Sequence, residues 1–277
     1  MLKNIFQYIL SHSIFIGFCA VAMAFETVEL LHMPFDTTFY YFLFFATVAA
    51  YNFHWIVSGI KSYSGIWTYV FHNRKNSFWA FIIGAGLAMY YFVMEGLTLN
   101  DIMVPVGLTI LYSLPLIHPK IFQLTRKLGF FKTILLAFVW AYATAYLPLH
   151  QSFFKYNAIG WIMVANRFCF LFVLCIIFDK RDKEVDKAKG VINFATQLST
   201  KSLYNVVMFV FFAWSITNIL AYVFGLFNYQ AVAMQAVTVI TYLVYLMSSK
   251  KRGYFFYYFL VDGLMILSAI ITGLASN

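Results

Sequence analysis

An all-α membrane protein, a single domain of nine transmembrane helices over residues 1–277 with a cytoplasmic N-terminus, is the architecture this sequence predicts. Three observations carry it. The first is composition: 63% of residues are hydrophobic and 10% charged, with a mean hydropathy of +0.80. A soluble domain carries about 25% charged residues, so a soluble enzyme, a nucleic-acid-binding module and a disordered chain are excluded. The second is the length of the apolar runs, which suits helices of about 20 residues rather than the roughly ten-residue alternating strands of a barrel. The third is the placement of the basic residues, all but two of which fall in alternate connections on one side.

In chain order the runs fall near 13–31, 38–58, 78–95, 102–118, 131–148, 158–178, 203–224, 229–247 and 255–274. The first is long, carries Glu26 and Glu29 and lacks a small-residue cleavage site, so it reads as a retained helix and not a signal peptide. Lys3 precedes it, and Lys61, Arg74 and Lys75 separate the second run from the third. Lys120, Arg126, Lys127 and Lys132 lie between the fourth and fifth, the last of them opening a helix. Lys180, Arg181, Lys183, Lys187, Lys189 and Lys201 follow the sixth, and Lys250, Lys251 and Arg252 follow the eighth. Of the 19 Lys and Arg, only Lys155 falls in the opposite connections, and Arg167 sits inside the sixth run. The positive-inside rule therefore places the N-terminus and the basic connections in the cytoplasm. Glu26, Glu29, Asp36, Glu95 and Asp101 fall towards the other side. The net charge of +9 is accordingly a topology signal and not a nucleic-acid one. Cys19, Cys169 and Cys175 lie in apolar runs and read as small buried hydrophobes.

The two longest cytoplasmic connections, roughly 59–77 and 179–202, are where polar chemistry has room. The second opens with Asp179, Asp182 and Asp186, spaced i, i+3, i+7. At ~100° per residue these share one helix face. Like charges at i and i+4 repel, and a hard divalent cation between them reverses the sign; Mg²⁺ binds one or two carboxylates and completes its shell with water and phosphate oxygens. The other reading is a solvated helix end, with the basic residues at 180, 181, 183, 187 and 189 neutralising the acids. Two ionisable residues lie inside runs, Arg167 and Asp262; each must face the interior, a partner or water, and a buried pair between them is one way to meet that need. Glu26, Glu29 and His32 read as interfacial.

The Asp179-x-x-Asp182-x-x-x-Asp186 run followed by Gly190 resembles the second acidic motif of the UbiA-type intramembrane prenyltransferases. Leu111-Tyr112-Ser113-Leu114-Pro115, Lys132 with Trp140, Thr144 and Pro148, and Arg167-Phe168 add to the likeness, which is densest from about 110 to 200. The resemblance implies nine helices and a polyprenyl diphosphate held through Mg²⁺, its prenyl group passing to an acceptor, often aromatic. On this reading Asp182 and Asp186 are catalytic, Asp179, Asp182 and Asp186 hold the metal, and Asn52, Lys120 and Lys132 face the diphosphate. The family's first acidic motif is degenerate here: Asn52 fits, but Ile56 and Ile60 replace both carboxylates. His54 and Arg74 are candidates to hold the diphosphate in place of a second metal; an interfacial histidine and plain positive-inside charge are the alternatives. The partners implied are a lipid bilayer, with a bacterial inner membrane as the expected location, and an isoprenoid diphosphate, with no nucleic acid. A non-catalytic isoprenoid- or lipid-binding protein on the same fold is the rival reading, and a transporter with Arg167 and Asp262 as a relay is the third.

Overall fold

A computed structural model describes residues 13–34, 36–58, 74–113, 129–150, 157–249 and 252–276, and every regular element among them is helical. The elements are α1 (Ile14–Leu30), α2 (Thr37–Ser58), α3 (Lys75–Glu95), α4 (Leu99–Ser113) and α5 (Gly129–Ala141), which runs on through a π turn (Tyr142–Tyr146) and a 3₁₀ turn (Leu147–Leu149). Then come α6 (Asn157–Lys189), the one-turn α7 (Phe194–Gln197), α8 (Thr200–Val223), α9 (Asn228–Met247), and a π turn (Phe256–Val261) leading into α10 (Asp262–Ser276). The described part of each apolar run read from the sequence thus coincides with a helix. Six of the described helical segments are long and apolar enough to cross a membrane: α3, α5 with its turns, α6, α8, α9 and Phe256–Ser276.

The chain divides into two compact units, one comprising Met1–Val21 and Phe35–Leu124, the other Ala22–Pro34 and Thr125–Asn277. In the first, α2 and α3 pack along their length. Gly84 permits this: a Cβ there would stand 3.2 Å from the Phe45 carbonyl and 3.3 Å from the Ala49 nitrogen. Rings fill the seam, with Tyr91 stacked on Tyr41 and Phe45, and Phe42 tilted on Phe92. Acids placed near helix starts act as caps. Asp36 accepts from the Thr38 amide at 2.8 Å, and Asp101 accepts from both the amide and the hydroxyl of Thr98 at 2.7 Å. A carboxylate at a helix N-terminus meets both the orphan donors and the positive end of the dipole.

The second unit is organised around α6, which packs on α5, α7 and α8. Its 33 residues span about 50 Å, well beyond the ~30 Å hydrocarbon core. The connection expected over 179–202 is therefore largely helix: the acid run is the continuation of α6, not a loop. Apolar packing around Leu30, Ala141, Ala145, Leu149, Met163 and Val164 joins the end of α1 to α5 and α6. Two buried polar networks reinforce it. Asn166 donates to Thr217 and Asn218, and Asn218 donates to Gln235 at 2.9 Å and Thr238 at 3.0 Å, tying α6, α8 and α9.

The second network corrects the sequence reading of the intramembrane charges. Arg167 pairs with Glu26, not with Asp262. Its guanidinium also donates to the Met23 carbonyl at 2.9 Å and the Thr27 hydroxyl at 3.0 Å, and Ser268 donates to the other Glu26 oxygen at 2.7 Å. Glu26 is thus buried, with a side-chain exposure of 5%, rather than interfacial. The physical reason is periodicity: Met23, Glu26 and Thr27 share one face of α1, and that face turns inward towards α6 and α10. Asp262 has Arg181 as its basic neighbour instead.

Candidate functional site

The acid run sits on the last three turns of α6, and each carboxylate is engaged by a different element. Asp179 accepts from the Thr133 hydroxyl of α5 at 2.9 Å. Asp182 accepts both arms of Arg181, Nε at 2.8 Å and Nη2 at 2.7 Å. Asp186 accepts from the Asn193 side-chain amide at 2.8 Å. Asp182 and Asp186 both lie within electrostatic reach of Asp179, as does the ammonium of Lys132, one residue before Thr133.

Local sequence explains the frame. Gly190, at φ 63°, ends α6 in the left-handed conformation, with the Val191 amide bonded to the Asp186 carbonyl and the Gly190 amide to the Lys187 carbonyl, a Schellman stop. The chain then turns back at once. Asn193 caps α7 through a reciprocal pair with Thr196, its Oδ1 accepting from the Thr196 amide at 2.8 Å while its own amide donates to the Thr196 hydroxyl at 2.9 Å. That fixes the Asn193 side chain, which holds Asp186. Phe194 packs against Phe130 and Phe172, and Gly129 lies against the Ile192 backbone so closely that no Cβ fits between them. The start of α5, carrying Lys132 and Thr133, is thereby locked to the turn that follows the acids.

The basic residues of the run do not simply spread into solvent. Lys180 donates to the Ser248 hydroxyl at 3.1 Å and lies 4.2 Å from the Tyr245 ring centre. Arg181 lies 4.8 Å from the rings of both Phe178 and Tyr258, and 5.4 Å from that of Tyr257. Arg181, Thr133 and Asn193 are the residues that sequence reasoning missed. Only Asn193 had a readable signal, the cap-like spacing to Thr196.

The other sequence candidates belong to the first unit. Asn52 is fully buried on α2 and donates to the Val48 carbonyl at 2.8 Å. His54 is half-buried on the same helix, and Arg74, preceding α3, lies 5.9 Å from the Trp55 ring. Ile56, where the resemblance implies a carboxylate, is buried. Lys120 and Ile60 lie outside the described residues.

Among the described residues, no three His, Cys, Asp or Glu side chains converge closely enough to enclose a metal ion. The chemistry of the acid run nonetheless suits Mg²⁺. Its donors are hard carboxylate oxygens on successive helical turns, and a magnesium site needs only one or two of these when water and phosphate oxygens complete the octahedron.

No family model matches the sequence, and no curated protein does. Among solved structures, the apo structure of a UbiA homolog from Aeropyrum pernix K1 aligns with a TM-score of 0.62 over 93% of this chain and 96% of that one, at 13% sequence identity. At that identity the likeness shows the fold alone: this chain shares the helical fold of that UbiA homolog.

Proposed function

We propose that this protein is a UbiA-like integral membrane prenyltransferase that binds a polyprenyl diphosphate at the end of α6 and passes the prenyl group to an acceptor, aromatic by analogy with the superfamily. Nine spans, a cytoplasmic N-terminus and residence in a bacterial inner membrane belong to the same proposal. The observation that supports it best is the succession of Asp179, Asp182 and Asp186 along the end of α6, with Lys132 within electrostatic reach of Asp179, within this fold. Asp179, Asp182 and Asp186 would hold Mg²⁺, which when bound supplies neutralisation of diphosphate charge. Lys132 adds a fixed positive charge beside them. Thr133 and Asn193 orient Asp179 and Asp186 and so keep the acid face from splaying. Loss of one group that stabilises developing charge costs roughly 3–4 kcal/mol of barrier.

Isothermal titration of geranylgeranyl diphosphate into the detergent-purified chain tests this, with and without Mg²⁺, on wild type and on Asp182→Ala/Asp186→Ala. Binding that needs Mg²⁺ and vanishes in the double variant is expected; metal-independent binding that survives it would sink the proposal. Single variants at Asn52, His54, Arg74, Lys120 and Lys132 test the diphosphate contacts that the sequence assigns to them. One observation favours the rival, a non-catalytic isoprenoid binder: Ile56 is packed as an apolar residue and offers no ligand to a second metal. A product screen with aromatic acceptors separates the two, because the binder retains its ligand without releasing diphosphate.

A further inference from the structure

The acid run contains one bidentate contact that metal and diphosphate binding do not explain. Arg181 commits Nε and Nη2 to the two oxygens of Asp182, at 2.8 and 2.7 Å, so in this arrangement both oxygens are already engaged. Adjacent residues on a helix do not face each other, and Arg181 reaches Asp182 only by folding its long side chain along the helix. The guanidinium is steadied independently of that pair. Phe178 and Tyr258 lie 4.8 Å from it, Tyr257 lies 5.4 Å away, and the Asp262 carboxylate is within electrostatic reach. Its Nη1 is buried, and the Tyr258 side chain interacts with the guanidinium as a polar partner as well as a ring. The group is therefore held from three sides and clamps one of the three acids.

We infer that Arg181 is a positioning residue that exchanges partners. Without ligand it clamps Asp182; when a divalent cation and a diphosphate arrive, it yields Asp182 to the cation and turns its fork to the diphosphate oxygens. The rings and Asp262 keep the guanidinium beside the run during the exchange. A planar, permanently charged fork matches phosphate oxygens in a way that a lysine does not. The clamp is also weak enough to be displaced: Asp182 is 42% and Arg181 23% exposed, and such pairs are largely screened by water. This inference rests on the reading of the acid run as a diphosphate site.

The test is Mn²⁺ titration of the full chain in detergent, followed by electron paramagnetic resonance, with Mn²⁺ alone and with inorganic pyrophosphate added. Wild type, Arg181→Gln, Arg181→Lys and Asp182→Asn are compared, each checked for folding by thermal unfolding. Arg181→Gln should bind Mn²⁺ alone about three-fold more tightly, because the competitor for Asp182 is gone. In the presence of Mn²⁺ the same variant should bind pyrophosphate about ten-fold more weakly, since a charge-assisted contact is lost. Arg181→Lys keeps the stem on the rings and should fall between, and it carries the test if the glutamine variant does not fold. A merely structural arginine would leave metal affinity unchanged or lower it. If Asp182→Asn abolishes Mn²⁺ binding while Arg181→Gln leaves it unchanged, or if pyrophosphate affinity does not fall, the partner exchange is overturned and the site stands. If neither wild type nor Arg181→Gln binds Mn²⁺ with pyrophosphate present, the diphosphate reading itself is overturned.

Discussion

Replacing Arg167 by methionine leaves the Glu26 carboxylate in an interior where its remaining hydrogen bond comes from Ser268. The reverse change, Glu26→Leu, leaves a guanidinium with side-chain exposure of 6% and bonds only to the Met23 carbonyl and sulfur and the Thr27 hydroxyl. Two unit charges about 4 Å apart attract by about 4 kcal/mol at an effective dielectric constant near 20. Breaking a buried pair from one side costs about 3–5 kcal/mol, because the surviving charge stays desolvated. Removing both sides is different. In Arg167→Met/Glu26→Leu, Thr27 keeps its bond to the Thr144 carbonyl at 2.9 Å, and Ser268 can turn to its own helix. The double variant should therefore fall within about 1 kcal/mol of wild type. The assay is denaturation by sodium dodecyl sulfate in mixed micelles, read by the reactivity of Cys19, which is fully buried on α1. Single variants that cost under about 1 kcal/mol, or a double variant as damaged as the sum of the singles, would refute the claim that this ion pair is desolvated and coupled.

Gly129→Ala must push the Ile192 backbone aside and should cost about 1–3 kcal/mol, whereas Gly86→Ala on α3 meets nothing within 4 Å and should stabilise by up to about 1 kcal/mol; denaturant midpoints of the two variants decide it. Asn193→Ala loses the α7 cap at about 1 kcal/mol and also releases Asp186, so metal affinity should fall together with stability, while Thr196→Val should lower stability with a smaller effect on metal. Asn218→Leu removes one partner each from Asn166, Gln235 and Thr238, which keep Thr217, Ser215 and the Met234 carbonyl, and should cost about 1–2 kcal/mol in the same micellar assay, above the ~0.6 kcal/mol average for polar contacts between membrane helices.

What the sequence made legible follows from which interactions are local. Apolar run length is a property of neighbouring residues, and the described helices follow the runs within a few residues, except α6, which continues past its run to Lys189. The shared face of Asp179, Asp182 and Asp186 is likewise helical geometry, and it holds because α6 runs unbroken to Lys189. Partner choice is not local. Whether Arg167 meets Glu26 or Asp262 depends on which helices are neighbours and how each is rotated, and a helix that is apolar almost all round, as α1 is, carries little record of its inward face. The charge on Glu26 was the one mark available, and its position near the outer end of the run favoured the interface.

The same distinction explains the site. Composition alone assigned the bases after Asp179 to topology, since a cytoplasmic loop needs positive charge whatever else it does. Lys180 and Arg181 answer that need and also lie against Tyr245, Tyr257 and Tyr258, contributed by segments more than sixty residues away. A guanidinium steadied by rings and aimed at a neighbouring carboxylate differs from a solvated one: in the exchange proposed above it would compete with a metal for Asp182 and then meet phosphate, while a freely hydrated arginine would pay the full entropy of localisation each time. The chemistry of the acid run is therefore decided as much by the rings of the last helical segment as by the three aspartates that announce it.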